Sequence, residues 1–387
     1  MPPDRVDVLI VGGGPVGAAV ALALRDSGLE VMVLESRGAA PRTDTRTLAL
    51  SHGSRLILQR LGIWARLRRI SVIDTIHVSQ RSGLGGCVLD ARDAGLPALG
   101  YVLRYAELQQ ALHLALQQGS LHYLSGAHVE TVQIAADGAL ARFTMGAQTS
   151  DVRARLLVLA GGAGALLGTK GITLHTHDYR QSAVVAEVKV THPRPGTAFE
   201  RFTADGPVAL LPCEDGYALI WTAMPETAHQ LLDLDAVAFL EHLQRHFGDR
   251  VGRFREVGPR TCFPLQLVRA EPVAVAHAVL LGSAAQHLHP VAGQGYNVGL
   301  RDAWQLAHEI LGSTVEHIGQ HGMLERYQKA RRADRNAGIG ITHGLVKLFS
   351  NANPMLRHAR GCGLLALDLI PPLKHALIER MEFGVGA

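Results

Sequence analysis

The sequence lacks closely spaced cysteines and long apolar runs. Its 387 residues include four scattered cysteines, Cys87, Cys213, Cys262 and Cys362, whose spacing fits neither a zinc site nor a redox motif. Apolar runs are short, so the sequence predicts no membrane-spanning helix. These absences favour an ordinary globular protein with reduced thiols.

An excess of charge of one sign is also lacking. Thirty-eight Lys and Arg residues against 34 Asp and Glu residues leave a net charge of +4, too small to argue for a nucleic-acid partner. Basic residues cluster at 66–69 and 329–335. We interpret these clusters as solvated helix faces, with contact to an anionic membrane surface as the alternative.

The first residues bear on localisation. Met1 is followed by a polar stretch and then by a strand-like run, without a charged leader and cleavage site. We therefore expect a cytoplasmic protein, and peripheral contact at the inner face of the membrane stays open.

A glycine-rich turn follows the first predicted strand. The apolar run from Val6 to Val11 predicts a strand buried on both faces, and Pro15 predicts the start of a helix. Between them, Gly12, Gly14 and Gly17 occupy the glycine positions of G-x-G-x-x-G. This context of strand, turn and helix predicts a dinucleotide site.

Each residue of this motif has a physical role. Gly12 allows the tight turn, Gly14 lets the backbone approach a pyrophosphate, and Gly17 allows close helix packing. A second strand predicted at 30–34 is followed by Glu35, whose carboxylate can hold a ribose hydroxyl. The pattern alone does not distinguish NAD from FAD.

A second constellation, between residues 281 and 302, favours the flavin. These residues predict a strand, a loop containing Pro290, and a helix with one apolar face. Such a loop brings a second helix N-terminus to the ligand and favours negative charge on a reduced flavin. We expect the two glycine-bearing turns to converge on one FAD. The candidate cofactor contacts here are Ser283, Gly293, Gln294, Gly295 and Asn297.

The same segment resembles the FAD-dependent aromatic hydroxylases related to 4-hydroxybenzoate hydroxylase. Residues 284–286 (Ala-Ala-Gln), 289–290 (His-Pro) and 292–295 (Ala-Gly-Gln-Gly) are typical of its ubiquinone-biosynthesis branch, which includes the 2-octaprenyl-6-methoxyphenol hydroxylases. The resemblance covers nearly the whole chain, and residues 200–203 and 206–212 resemble the substrate-domain sheet of that branch.

The resemblance implies further cofactor-binding residues. Residues 44–50 match a family segment whose arginine, here Arg46, lies near the flavin. Arg104 matches the mid-chain arginine of the family. Val129 lies where the family packs the adenine, near the end of the strand that follows.

Pattern and resemblance together predict an α/β protein, α+β overall. We expect a Rossmann-like FAD-binding domain at 1–75, 100–170 and 275–340. An interwoven substrate domain at 76–99 and 171–274 is expected to be an antiparallel β-sheet, because 171–267 alternates apolar and polar residues. C-terminal helices are expected at 341–387. Strand-like runs lie at 72–78, 155–160, 182–190, 208–211, 217–223 and 278–281.

The implied activity is FAD-dependent hydroxylation of a polyprenylated phenol in ubiquinone biosynthesis. NAD(P)H would reduce the flavin, and oxygen would reach the ring through a flavin hydroperoxide. His289 and Pro290 are the candidate catalytic residues, expected beside the substrate. No general base is assigned. The histidine pairs 175/177 and 242/246 lack a third ligand, so no metal site is predicted.

Two departures from the family leave other functions open. Gly161 and Gly162 stand where the family has Asp-Gly, and Gly282 and Ser283 stand where it has Gly-Asp. The first change removes a carboxylate implied in nicotinamide contacts, so a non-catalytic flavoprotein subunit of a biosynthetic complex is one alternative. Hydroxylation of a small soluble phenol is another.

The C-terminal tail and the partners are less determined by the sequence. Residues 345–349 and 363–373 form short apolar runs, which we expect to pack on the flavin domain. A surface facing lipid or a partner is the alternative. Membership of a ubiquinone-biosynthesis complex and formation of a homo-oligomer stay open.

Overall fold

The computed structural model describes residues 3–38, 46–81, 83, 85–161, 171–349 and 353–385, without the side chains of Ala292 and Pro354. The strands in this part of the chain are β1 (Arg5–Val11), β2 (Val31–Glu35), β3 (Thr47–Leu50), β4 (Ser71–Ile73), β5 (Thr75–Gln80), β6 (Gly86–Asp90), β7 (Gly100–Arg104), β8 (His122–Ser125), β9 (Ala127–Ala135), β10 (Gly138–Met145), β11 (Gln148–Leu159), β12 (Thr173–Val190), β13 (Thr197–Thr203), β14 (Gly206–Cys213), β15 (Gly216–Ala223), β16 (Phe254–Val257), β17 (Thr261–Glu271), β18 (Ala274–Val275), β19 (Ala278–Leu280) and β20 (Gln286–His287). The helices are α1 (Pro15–Leu24), α2 (His52–Arg60), α3 (Tyr105–Gln118), α4 (Pro225–Asp233), α5 (Ala236–Phe247), α6 (Gln294–Leu311), α7 (His321–Phe349), α8 (Pro354–Leu369) and α9 (Pro371–Phe383).

A largely parallel sheet carries the first glycine turn. Its strand order is β18-β19-β11-β1-β2-β8, and β1 runs parallel to both β11 and β2. The apolar sequences of β1 and β2 suit this central place, where both faces of a strand are covered. The predicted α/β class is confirmed. The second strand is β2, which begins and ends one residue later than predicted.

A second, largely antiparallel sheet forms the other layer. Its order is β20-β17-β12-β15-β14-β13-β5-β6, and β12 pairs antiparallel with both β15 and β17. The antiparallel prediction for 171–267 is therefore confirmed. The aromatic side chains of Trp221, Phe239 and Phe247 fill the space between this sheet and α5.

The run predicted as one strand at 72–78 is two strands in different sheets. β4 pairs with β7 in a small sheet, whereas β5 pairs with β13. The chain turns at Asp74, where the backbone N–H groups of Asp74 and Thr75 both donate to the carbonyl of Gly196, at 2.7 and 3.0 Å. The prediction was wrong because apolar periodicity carries no signal for a change of sheet.

The C-terminal helices contact both layers. α8 packs on β6 and α9 packs on α2, so the tail is not confined to the flavin side. No helix in the described ranges is, by itself, long and apolar enough to cross a membrane. Met355–Leu369 and Pro371–Phe383 pass that test only as a pair bent by 94°. The domain division remains a prediction, and its boundary after residue 340 falls inside α7.

Candidate active site

The first glycine turn is held in a shape that side chains would prevent. Gly12 has φ of +106°, and a Cβ atom there would lie 2.8 Å from the backbone nitrogen of Gly161. A Cβ atom on Gly17 would overlap the carbonyl oxygen of Gly12. At Gly14, by contrast, a Cβ atom would meet no protein atom within 4 Å. The turn is thus tight on its inner side and open at Gly14.

The N-terminus of α1 keeps its positive character. No side chain caps it, and its first turn contains no acidic residue, so its free N–H groups and dipole are not neutralised. Glu35 lies beside the turn at the end of β2. Its Oε2 accepts a 2.7 Å hydrogen bond from the N–H of Gly13, and its Oε1 accepts one of 3.0 Å from Arg37.

The second turn begins α6 in a similar way. Gly293, with φ of +61°, precedes the helix, and no side chain caps the helix N-terminus. Gly295 is exposed, and a Cβ atom there would meet no protein atom within 4 Å. Gln294 is buried, and its Nε2 donates to the carbonyl of Met381 at 3.4 Å. The second turn therefore also has an open glycine at a helix N-terminus.

Asn297 fastens this turn to the start of α2. Its Oδ1 accepts hydrogen bonds from the N–H of Ser51 (2.9 Å) and the hydroxyl of Ser54 (2.7 Å). Its Nδ2 donates to the carbonyls of Ala49 (3.1 Å) and Gly293 (2.9 Å). Because both donors and the amide oxygen are used inside the protein, the side chain acts as a structural tie.

The two glycine turns lie side by side. A Cβ atom on Gly282 would lie 3.0 Å from Cγ2 of Val16, the second residue of α1. A Cβ atom on Gly299 would lie 3.1 Å from the same methyl group and 3.3 Å from Cα of Gly282. The predicted meeting of the two segments in space is confirmed. Glycine suits both positions, because a Cβ atom at either one would crowd the side chain of Val16.

A cavity of about 530 Å³, here the arginine cavity, is lined in part by His287, Leu288 and Pro290 of the loop that leads into α6. Arg46 and Arg104 both line it. Arg104 forms a half-exposed ion pair with Glu187 at 2.9 Å, and the Arg46 guanidinium lies 4.6 Å from the centre of the Tyr105 ring. These cations can stabilise an anionic cofactor or substrate.

A second cavity, of about 380 Å³ and here the apolar cavity, runs from the α6 turn towards the C-terminal helices. Thr47, Ile220, Leu288 and Pro290 line both this cavity and the arginine cavity. These four residues are here called the shared wall. Its far wall comes from α7, α8 and α9, through Ile341, Leu345, Phe349, Leu364, Leu367 and Leu377. Such a lining suits an apolar ligand.

The two candidate catalytic residues differ in position. Pro290 lines both cavities, whereas His289, in the same loop, is completely buried. The Nδ1 atom of His289 accepts a 3.2 Å hydrogen bond from the N–H of Val291, and its ring packs edge-on against Tyr179 at 5.3 Å. Burial lowers the pKa of His289 to about 4, so the ring is neutral near pH 7 and shapes the loop.

Two predicted contacts lie away from the cavity walls. Val129 is the third residue of β9, near the start of the strand and not near its end, and it packs against the parallel-sheet core. Ser283 is exposed on a short 3-10 turn. Residues 44 and 45 and Gly162 lie outside the described residues. Sequence reasoning missed Glu200, a carboxylate that lines the apolar cavity.

A family comparison agrees with this geometry. The family model described as the FAD binding domain matches residues 5–338. The chain belongs to this FAD-binding family. The match spans both glycine turns, and the recognition made from the motifs is confirmed.

Relatives in the family are similar over nearly their full length. Ubiquinone hydroxylase UbiL of Rhodospirillum rubrum is 35% identical over 388 residues, covering 97% of this chain and 89% of that protein. The 3-demethoxyubiquinol 3-hydroxylase of Escherichia coli is 31% identical, with 98% of each chain covered. These relatives belong to the ubiquinone-biosynthesis branch of the FAD-dependent hydroxylases.

A solved structure shares the fold. The p-nitrophenol 4-monooxygenase PnpA of Pseudomonas putida superposes with a TM-score of 0.80 at 18% identity, covering all of both chains. At this identity the similarity concerns the fold alone.

The residues present fit FAD. Two adjacent helix N-termini lack side-chain caps and can receive a pyrophosphate and an electron-rich ring. The open sides of Gly14 and Gly295 leave room for close approach, and Glu35 supplies a carboxylate at the end of β2.

Proposed function

We propose that this protein hydroxylates a polyprenylated phenol in ubiquinone biosynthesis. The observation that carries the proposal is the apolar cavity, which starts at Pro290 and the α6 turn and continues to the C-terminal helices. The ubiquinone hydroxylases among the relatives support it. A long apolar tail would occupy this cavity while the ring stays near the shared wall.

The cofactor contacts follow from the two turns. The N–H groups of α1 near Gly14 would bind the pyrophosphate, and Glu35 would bind the adenosine ribose. The α6 turn, from Gly293 to Asn297, would face the flavin ring, and Ser283 would hydrogen-bond the ribityl chain. Arg46 and Arg104 would neutralise negative charge near the ring, and Val129 would pack beside the adenine.

In this reaction the protein would orient the phenol ring and exclude water from the reacting centre. FAD, when bound, supplies the redox chemistry with NAD(P)H and oxygen. The loop of His289 and Pro290 would orient the phenol ring over the shared wall. The apolar lining of the second cavity would keep water from the reacting centre. A neutral, buried His289 adds rigidity without adding charge.

Peripheral membrane contact would give access to such a substrate. Met355, Leu369 and Leu373 on α8 and α9 are 82%, 68% and 49% exposed, beside helix residues that line the apolar cavity. We expect wild-type protein to co-sediment with anionic phospholipid vesicles and the double variant Leu369→Gln, Leu373→Gln to do so much less. Equal sedimentation of both proteins would contradict contact through these helices.

The direct test is turnover of a tail-length series. Purified protein is supplied with NADH or NADPH, oxygen, and methoxyphenols that carry no tail, one prenyl unit or several units. We expect a product heavier by one oxygen atom, and kcat/KM that increases with tail length. Turnover of the tailless phenol alone would instead identify a hydroxylase of small soluble phenols.

The Gly161 departure is tested by reduction of the flavin in the absence of oxygen, first without a phenol and then with each phenol of the series. Anaerobic mixing with NADH or NADPH should bleach the yellow flavin if the nicotinamide can reduce it. Persistent yellow colour with both nucleotides and every phenol would contradict the proposed reaction and favour a non-catalytic flavoprotein subunit.

A further inference from the structure

Glu200 lies on the apolar face of β13. Its neighbours two residues away, Ala198 and Phe202, are buried on the same face, where Phe202 stacks on Phe349 of α7 at 3.9 Å. Phe199 packs on the opposite face, against Phe247 at 6.0 Å. Strand alternation therefore directs the carboxylate into the apolar cavity, whose wall includes Glu200.

The immediate neighbours of Glu200 offer it no charge. It lies opposite Ala209 on β14 and beside Val78 on β5. Its Oε1 atom is sheltered from solvent and has no hydrogen-bond partner among the described residues. Burial alone raises the pKa of Glu200 to about 7. A carboxyl group with one buried, unpaired oxygen atom costs folding free energy, so its presence calls for a functional reason.

Among the described residues, Glu200 forms no ion pair that would explain a carboxylate at this position. The adjacent Arg201 faces the other side of the sheet, where burial and then the nearby Arg250 and Arg81 lower its pKa. The titratable groups that line the same cavity are Tyr296, Arg301, Asp334, Arg380 and Glu382. Arg301 is bonded to Asp334 at 2.8 Å and Glu382 accepts from the N–H of His52 at 2.5 Å.

The sheet register connects Glu200 to the shared wall. Glu200 pairs with Ala209, and Ala209 pairs with Ile220, which lines both cavities. Two strand spacings separate Glu200 from Ile220, about 10 Å between their backbones. A phenol ring over Ala209 would lie between the shared wall and the part of the apolar cavity that α7, α8 and α9 line. In that position it would be within reach of the carboxylate.

Resting on the proposed function, we propose that Glu200 accepts the proton of the substrate's phenolic hydroxyl. The phenolic O–H bond breaks, a carboxylic O–H bond forms on Glu200, and the electron pair stays on the phenolic oxygen. The ring becomes more electron-rich, as attack by an electrophilic oxygen atom requires. This step consumes no oxidant or reductant.

The first test is the pH profile of Glu200→Gln, which keeps the shape of the side chain and removes the proton acceptor. We expect wild-type kcat/KM to rise with pH to a plateau above about pH 7, because the ionised carboxylate is the active form. In Glu200→Gln we expect a loss of about a hundredfold at neutral pH, and a rise towards alkaline pH as the phenol itself ionises. Glu200→Asp should recover part of the loss.

A second readout does not depend on turnover. Binding of a one-prenyl methoxyphenol, measured by calorimetry, should weaken in the wild type as pH falls below about 7, because a carboxylate accepts the phenolic hydrogen bond better than a carboxylic acid. The part of this dependence that comes from Glu200 should be lost in Glu200→Gln. Glu382 lines the same cavity and burial raises its pKa to about 8, so any contribution from Glu382 should be equal in the two proteins and cancels in their comparison.

The control is Glu241→Gln on the exposed side of α5, which should match the wild type in both assays. If Glu200→Gln keeps the wild-type pH profile and kcat/KM within about twofold, well short of a general-base effect, Glu200 is not the proton acceptor, while the proposed function stands. If the wild type neither binds nor hydroxylates any phenol, the proposed function itself is contradicted.

Discussion

The two glycine turns owe their shape to missing side chains, whereas the apolar cavity owes its shape to side chains from distant parts of the chain. At the first turn, Gly17 allows a contact that a single Cβ atom would prevent, and at Gly299 on α6 a Cβ atom would crowd Val16. The cavity wall instead combines β5, β13 and β14 with α7, α8 and α9. Cofactor binding therefore depends on a few short motifs, while the choice of substrate is spread over the whole molecule.

The largest effect should come from breaking a turn. Gly17→Ala introduces a Cβ atom that overlaps the carbonyl oxygen of Gly12, so we expect a loss of about 3 kcal/mol or more in the free energy of unfolding. Gly14→Ala is the matched control, because its φ is −64° and its Cβ would meet no protein atom within 4 Å.

The two alanine variants separate folding from cofactor binding. Cofactor-free Gly14→Ala should unfold within about 0.5 kcal/mol of the wild type, yet bind FAD at least about tenfold more weakly, because the methyl group occupies the approach of the pyrophosphate. Chemical denaturation and FAD fluorescence titration give both values. Unchanged FAD affinity in Gly14→Ala would mean that the pyrophosphate lies elsewhere.

Loss of the Asn297 hydrogen bonds at the second turn should cause the next largest loss in the free energy of unfolding. Asn297→Ala leaves the N–H of Ser51 and the carbonyl of Ala49 without their buried partner, so we expect a loss of about 2 kcal/mol in the free energy of unfolding. Gln305→Ala, farther along α6, should change it by less than about 0.5 kcal/mol. Similar denaturation midpoints for both variants would contradict the role of Asn297 as a tie.

Filling the apolar cavity should alter substrate choice alone. Ala337→Phe on α7 places a ring in the cavity, so we expect KM for a long-tailed phenol to rise about tenfold, equivalent to about 1.4 kcal/mol. KM for a tailless phenol should stay within about twofold. Ala333→Leu, on the exposed side of the same helix, is the control. An equal rise of KM for both phenols would indicate general damage to the site.

The smallest effect on stability is expected at the arginine cavity. Arg104→Ala and Glu187→Ala break the same half-exposed ion pair, so each should cost less than about 1 kcal/mol in the free energy of unfolding. FAD affinity should fall in Arg104→Ala but not in Glu187→Ala if the arginine contacts the cofactor. Equal FAD affinity in the two variants would remove Arg104 from the binding site.

The local parts of this architecture could be predicted from the sequence. The strand, turn and helix around Gly12 are fixed by neighbouring residues, because φ, close approach and helix initiation act within a few positions. The family resemblance identified the second turn. Its packing on Val16 could not be read from either motif alone, since the contact joins residues more than 250 positions apart.

The substrate side was less accessible to sequence reasoning. The alternation of Ala198, Glu200 and Phe202 was visible and places a lone carboxylate on an apolar face, which was the available signal for Glu200. The packing of α7 and the C-terminal helices decides which side of the sheet faces the cavity. The apolar periodicity of a strand gives no information about that packing. Asn297 was predicted as a flavin contact, but its amide is used within the protein.

The absorbance spectrum of the purified protein tests most directly whether the two turns together hold one flavin. We expect the spectrum of bound FAD at one equivalent per chain, released intact on denaturation, with its equilibrium affinity reduced by alanine at either Gly14 or Gly295. A folded protein that neither retains FAD nor takes it up when the cofactor is supplied would contradict the account.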